Sequence, residues 1–193
     1  MMMHERGDRV SEVKGSEPSP IALVTTRIGK EVVAAKEIEN ALFPYVESVN
    51  VVPLSRRGIV LVFGNIDSRA NVVRLLKARG VSRAFWVIPV DACCRARYEC
   101  IKRCALELVV AKGRHLPIKI VCKCRKRGLE IDSCSRLCRY VGEFLEALHL
   151  VEVCFKCFDY VLRIEVVDSW AYLSLYSRDE EAGFRLRTFS SEL

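Results

Sequence analysis

Two rhythms of apolar residues alternate along the chain, and together they predict its elements. Ile21-Ala22-Leu23-Val24-Thr25 is a β-rich apolar run, followed by a turn from Thr26 to Gly29. Between Lys30 and Leu42 the apolar residues Val33, Ala34, Ile38, Ala41 and Leu42 fall at helical spacing, and Pro44 ends the helix. Ser48 to Pro53 alternates as a strand, Arg56-Arg57-Gly58 turns the chain, and Ile59 to Phe63 reads as the next strand. Asn65 to Ser68 supplies a helix cap, Val72, Val73, Leu75 and Leu76 form one helical face, and Gly80 closes it. Ala84 to Pro89 is a further strand. The order β-α-β-β-α-β over about 70 residues is the split βαβ, ferredoxin-like arrangement.

Beyond Asp91 the rhythm continues in a different composition. Arg95 to Lys112 predicts a helix with Ile101, Ala105, Leu108 and Val109 inward, stopped by Gly113. Leu116 to Cys124 predicts a strand, and Arg125-Lys126-Arg127-Gly128 a basic turn. Asp132 or Ser133 caps a long helix to about Leu150, with Leu137, Val141, Phe144, Leu145 and Leu148 inward. Tyr160 to Val167 and Trp170 to Leu175 are strands joined at Asp168-Ser169. The division expected is a disordered tail at 1–20, a ferredoxin-like domain at 21–91, a second domain at 92–176 and a polar C-terminal tail at 177–193. The fold class is α+β.

Charge sharpens this division. The whole chain carries +7, yet Arg95 to Tyr140 holds 13 Lys or Arg against 4 Asp or Glu, a local +9. A concentrated basic segment is the footprint of a phosphate-binding surface, or else a solvated charged face. No apolar run reaches the roughly 18 residues of a membrane span, and the start lacks a signal-peptide core, so a cytoplasmic protein without a membrane partner is expected. Glutamine is absent and asparagine occurs only four times, a depletion that points to a hyperthermophile.

That setting matters for the ten cysteines, all between Cys93 and Cys157, because intracellular hyperthermophile proteins do carry disulfides. Cys122 and Cys124 share a strand face, and Cys134 and Cys138 a helix face, as do Cys100 and Cys104. These placements fit core filling or disulfides. Cys154-x2-Cys157 has a zinc-knuckle spacing but lacks a second matching pair, so no metal is assigned. Zinc binding and cysteine-based redox chemistry stay open as alternatives.

The stretch Leu116 to Leu175 resembles the THUMP domain of tRNA thiouridine synthetases, tRNA methyltransferases and tRNA acetylation adaptors. The resemblance is carried by Pro117-Ile-Lys-Ile-Val-Cys-Lys-Cys124, Arg125-Lys126-Arg127-Gly128, the capped helix Ser133 to Gly142, Phe158-Asp159-Tyr160-Val-Leu-Arg-Ile-Glu-Val166 and Trp170-Ala-Tyr-Leu-Ser174. Leu23-Val-Thr-Thr26 and Gly29-Lys-Glu31 look like the opening of THUMP-only adaptors. One stretch departs from the family. Where members often read Val-Asp-Leu and then Pro-Asp, this chain has Val153-Cys154-Phe155-Lys156-Cys157-Phe158-Asp159. The resemblance implies tRNA as partner, a grip on the single-stranded acceptor end, and a first domain that sets the distance to the modified nucleotide. With no Gly-x-Gly-x-x-Gly and no Walker loop, neither catalysis nor a cofactor is expected. The nearest type is the adaptor that presents tRNA to a separate cytidine acetyltransferase. The rival is a redox or sulfur-transfer protein of tRNA thiolation.

The residues expected to hold RNA are Lys119, Lys123, Arg125, Lys126, Arg127, Gly128, Arg136 and Arg139, with Lys112 and Arg114 at a helix end. Three cations on a turn reach successive phosphates, and glycine allows close backbone approach. Alternation puts Lys119 and Lys123 on the face of Arg125, and Arg136 and Arg139 share a helix side. Arg56 and Arg57, in the first domain's turn, read as solubility residues or as contacts to the tRNA body. Trp86, Trp170 and Tyr172, on predicted strands, read as core, with base stacking the alternative.

Overall fold

The computed structural model describes residues 19–46, 48–65, 69–112 and 116–186. Residues 1–18 of the predicted tail lie outside that set, as do 187–193. The first half runs β1 (Ala22–Thr26), α1 (Glu31–Leu42), β2 (Asn50–Leu54), β3 (Ile59–Phe63), α2 (Arg69–Ala78) and β4 (Ala84–Pro89). Its sheet has the order β2-β3-β1-β4, antiparallel throughout. β1 reads as an unbroken apolar run because both its faces are covered. The β2–β3 turn needs glycine at position 58, where φ is +63° and a Cβ would lie 2.8 Å from the Thr26 carbonyl oxygen.

The second half runs β5 (Ala92–Arg95), α3 (Tyr98–Lys112), β6 (Ile118–Arg127), α4 (Cys134–Ala147), β7 (Val151–Val153), β8 (Tyr160–Val167), β9 (Trp170–Ser177) and α5 (Arg178–Gly183). The sheet order is β5-β9-β8-β6-β7, with β6 parallel to both its neighbours. Helices α3 and α4 cover one face through Ile101, Ala105, Val109, Leu137, Val141 and Leu145. On the opposite face Val167 and Tyr172 join Leu23, Ile59, Leu61, Ile88 and Val90 of the first half. Val121, Val161 and Tyr176 pack into the core beneath α1 and α2. The two sheets therefore share an interior.

Several sequence expectations need correction. The strand β5 precedes α3, because Cys93 and Cys94 pair with Tyr172 and Ala171 of β9 across a long loop. The three-residue β7 exists only by lying beside β6. α4 stops at Ala147 and His149 adopts φ 55°, so Leu148 is exposed rather than inward. The stretch from Ser177, read as a polar tail, begins with α5 in a capping box between Ser177 and Glu180. The chain then returns to β4, where Val87 N–H donates to the Phe184 carbonyl at 2.9 Å and Leu186 N–H to that of Phe85 at 2.8 Å.

Candidate nucleic-acid interface

The predicted basic turn is a strand end. β6 continues through Arg127 because it pairs with β8 on the rungs Arg125↔Glu165, Lys126↔Val166 and Arg127↔Val167. The pairing is parallel, so no hairpin forms there, and α4 and β7 intervene before β8. Alternation sends Lys119, Lys123, Arg125 and Arg127 to one face of the sheet. Lys126 points to the other face, on which α4 with Arg136 and Arg139 is packed. The expected single surface is thus divided by the sheet itself.

Several of these cations already have partners. Arg127 Nη1 lies 2.5 Å from Glu165 Oε2, and Arg163 Nη2 lies 2.5 Å from Glu165 Oε1. Burial pulls the Arg127 pKa down, and the Glu165 charge opposes that pull. Lys126 Nζ donates to the carbonyls of Ile131 at 2.9 Å and Asp132 at 2.7 Å, closing the turn before α4. Arg136 pairs with Asp132, whose carboxyl is held below its usual range first by the Tyr98 hydroxyl. Arg125 and Arg139 are exposed, and among the described residues no hydrogen bond or ion pair engages either side chain. Gly128 does permit a close approach, but of protein: a Cβ there would lie 3.1 Å from the Asp168 backbone. Arg57 is a tie between the halves, with Nη2 at 2.6 Å from Asp168 Oδ1. Arg114 lies outside the described residues.

The structure instead seats cations on rings where β8 begins, on Tyr160 at the face covered by α3 and α4 and on Phe158 at the face turned to the first half. Lys112 Nζ sits 5.5 Å from the Tyr160 ring centre. Phe158 carries Arg178 at 5.0 Å and Lys123 at 5.8 Å. Asp159 N–H donates to the Lys119 carbonyl at 2.9 Å, and Arg178 N–H to that of Asp159 at 2.8 Å, which holds these segments side by side. Lys123 is neutralised by Glu181 at 2.6 Å. Among the described residues no ion pair engages Lys112, Lys119 or Arg178. Cations resting on aromatic rings have the chemistry to hold a single-stranded polyanion. Sequence reading found Lys112, Lys119 and Lys123 but missed Phe158, Tyr160 and Arg178. The signal for the first two was Lys156-Cys-Phe-Asp-Tyr160, which places a cation just ahead of two rings.

The cysteines resolve into three disulfides, Cys122–Cys138, Cys124–Cys134 and Cys154–Cys157. The first two are the shared strand and helix faces joined pairwise. The third closes the Cys-x2-Cys that had the zinc spacing, and among the described residues no group of three His, Cys, Asp or Glu is placed to hold a metal. Cys93, Cys94, Cys100 and Cys104 are free thiols. The hydrogen bond between Cys94 and Cys104 pushes the Cys94 thiol up and the Cys104 thiol down. A cavity of about 730 Å³ opens between β6 and α4, bordered by both disulfides of that pair, Arg139, Glu143 and Phe155. Among the described residues no helix is long and apolar enough to cross a membrane.

No protein-family model matches the chain, and no curated protein matches it. Its fold is similar to that of PH1313 from Pyrococcus horikoshii Ot3, with 21% identity, TM-score 0.65, and coverage of 82% of this chain and 54% of that one. TrmN from Thermus thermophilus matches at 20% identity and TM-score 0.55, over 80% of this chain and 44% of that one. A 4-thiouridine synthetase, solved as an RNA complex with bound ATP, matches at 15% identity and TM-score 0.54, over 82% of this chain and 41% of that one. This chain therefore spans about half the length of these proteins. The likeness defines a THUMP-like α+β fold.

Proposed function

We propose that this protein is a non-catalytic tRNA-binding adaptor that grasps the acceptor end and presents the tRNA to a separate modification enzyme of the cytidine acetyltransferase type. The observation that carries this reading is the seating of Arg178 on Phe158 and of Lys112 on Tyr160 at the start of β8, beside Lys119 of β6, whose carbonyl accepts the Asp159 N–H. The THUMP-like fold supports it, and so does the likeness to a synthetase solved with RNA. We assign residues 92–176, with Arg178 following directly after β9, to the RNA-holding unit and residues 21–91 to a ferredoxin-like spacer. The β-α-β-β-α-β order with its β2-β3-β1-β4 sheet supports the spacer assignment. A hyperthermophile cytoplasm, the setting implied by the amide depletion, accommodates the three disulfides.

The test is filter binding of tRNA with and without its unpaired 3′ nucleotides. Removing them is expected to weaken binding at least tenfold, about 1.4 kcal/mol. Lys119→Ala and Arg178→Ala should each lower the log–log salt slope by about 0.7, the share of one phosphate on a single strand. Equal affinity for both tRNAs would sink the acceptor-end reading. Recovery of tRNA with an acetyltransferase on native purification checks the partner, and recovery of tRNA alone would remove it.

A further inference from the structure

We propose that the Cys154–Cys157 disulfide is a thiol–disulfide exchange site that opens to a dithiol while the other two disulfides stay closed, and that its state sets how firmly Phe158 is held. The second half of this statement rests on the RNA-binding reading above; the first does not.

The three disulfides differ in what they hold. Cys122–Cys138 and Cys124–Cys134 lock β6 to α4 and close 16- and 10-residue separations. Cys154–Cys157 joins residues three apart, in the loop between β7 and β8. It ties no two elements together, so the fold loses least when it opens. It is also the accessible one. Cys157 and Lys156 are exposed, and Phe155 is 77% exposed, whereas Cys122, Cys124, Cys134 and Cys138 are half-buried.

The local chemistry favours exchange in one direction of attack. The exposed sulfur, Cys157 Sγ, meets the incoming thiolate. The leaving sulfur, Cys154 Sγ, already accepts the Cys157 N–H at 2.9 Å. A hydrogen-bond donor on a sulfur stabilises it as thiolate, which makes it the better leaving group. The step balances with a dithiol as reductant. One thiolate of the dithiol bonds to Cys157 Sγ, the Cys154–Cys157 bond breaks, and Cys154 leaves as thiolate and takes up a proton. The second thiol of the reductant, losing its proton, then attacks its partner sulfur in the mixed disulfide and releases Cys157. The dithiol ends as a cyclic disulfide and the protein as two thiols.

The consequence for the patch follows from how the loop is hung. Cys154 N–H donates to the Ile120 carbonyl and Asp159 N–H to that of Lys119, each at 2.9 Å. Between these two anchors on β6 the segment is held by the disulfide and by the packing of Phe158, the residue directly after Cys157, against the core of the first half. Opening the bond removes the covalent one of these constraints and loosens the segment that presents the ring under Arg178 and Lys123.

The test treats the folded protein with graded dithiothreitol, quenches with acid, alkylates, and maps each cysteine by mass spectrometry. Cys154 and Cys157 should become labelled at a dithiothreitol concentration about tenfold below that needed for the other four. Simultaneous opening, or later opening of this pair, overturns the exchange site whatever the RNA result. Protein reduced only at this pair, and the Cys154→Ser/Cys157→Ser variant checked by circular dichroism, should both bind tRNA about threefold more weakly than the oxidised protein. Unchanged affinity in both overturns the link to Phe158. Failure of the oxidised protein to bind tRNA at all sinks the RNA reading and that link, and leaves the labelling order to decide the exchange site.

Discussion

Arg127 and Glu165 form an ion pair from which water is nearly excluded: Nη1 and Oε2 are 2.5 Å apart, and the side chains are 12% and 1% exposed. Arg163 donates to the other carboxylate oxygen through Nε at 2.8 Å and Nη2 at 2.5 Å. One buried carboxylate thus compensates two guanidinium groups on the sheet face turned toward the first half. Removing it strands both. Glu165→Ala should cost about 3–5 kcal/mol, the range for breaking a buried pair by deleting one partner. Urea denaturation checks this, and a loss below about 1 kcal/mol would show that the pair is wetter than the structure has it.

The same geometry separates two neighbouring arginines. Arg125→Ala removes an exposed side chain and should change stability by no more than about 0.5 kcal/mol. Arg127→Ala leaves Glu165 with Arg163 alone and should cost several times as much. A joint replacement of Arg125, Lys126 and Arg127 is therefore expected to unfold the protein partially, so lost RNA binding in that variant says nothing about contacts. Thermal melts of the two single variants distinguish the roles, and equal melting temperatures would refute the division.

The disulfides predict a count. Ten cysteines less six in three bonds leaves four, the free thiols Cys93, Cys94, Cys100 and Cys104. Alkylation in denaturant without reductant should add four labels, and ten after reduction. Cys138→Ser and Cys134→Ser should each lower stability by about 3 kcal/mol, the loop-closure value for separations of 16 and 10 residues. A label count other than four contradicts the pairing.

Glu31 predicts a pH dependence. Burial pushes its carboxyl up, but the backbone N–H of Gly58, at 2.8 Å, and those of Glu31, Gly29 and Arg57 outweigh burial and hold it below its ordinary value. A carboxyl lowered in the folded state stabilises the fold above its unfolded value, near 4.3, and loses that contribution as pH falls through the folded value. Glu31→Gln should therefore cost about 2 kcal/mol at pH 7 and progressively less below about pH 4. Melting temperatures of both proteins between pH 7 and 3 test this, and a constant gap would contradict it.

Gly128 tests the close approach of two backbones. With Asp168 Cα and N each at 3.1 Å from a built Cβ, Gly128→Ala has only backbone to push against. About 1–2 kcal/mol should be lost, read from the denaturation midpoint. An unchanged midpoint would mean that the β8–β9 turn gives way freely.

Much of the fold was legible where the pattern is local. Ile59–Phe63, Ala84–Pro89 and Tyr160–Val167 stand as strands at the bounds their composition implies, and Ser133 caps α4 by accepting the Arg136 N–H. β5 and β7 were not legible, because Ala92–Arg95 and Val151–Val153 are too short to show alternation and exist through partners distant in sequence. The site was half legible. Composition marked the basic segment, but the same residues read as a turn were drawn into a strand by the eight rungs of β6 against β8.

The order of residues alone determined the apolar rhythm, the excess of cations after Arg95 and the faces shared by Cys122 with Cys124 and by Cys134 with Cys138. These are properties of near neighbours along the chain. The tertiary structure decided which cations stay available. Arg127 is taken up by Glu165 and Lys126 by the Ile131 and Asp132 carbonyls, while Lys112 rests on Tyr160 and Arg178 on Phe158. A charge is available only if no partner reaches it, and the partners here arrive from strands and helices that pairing and packing bring together.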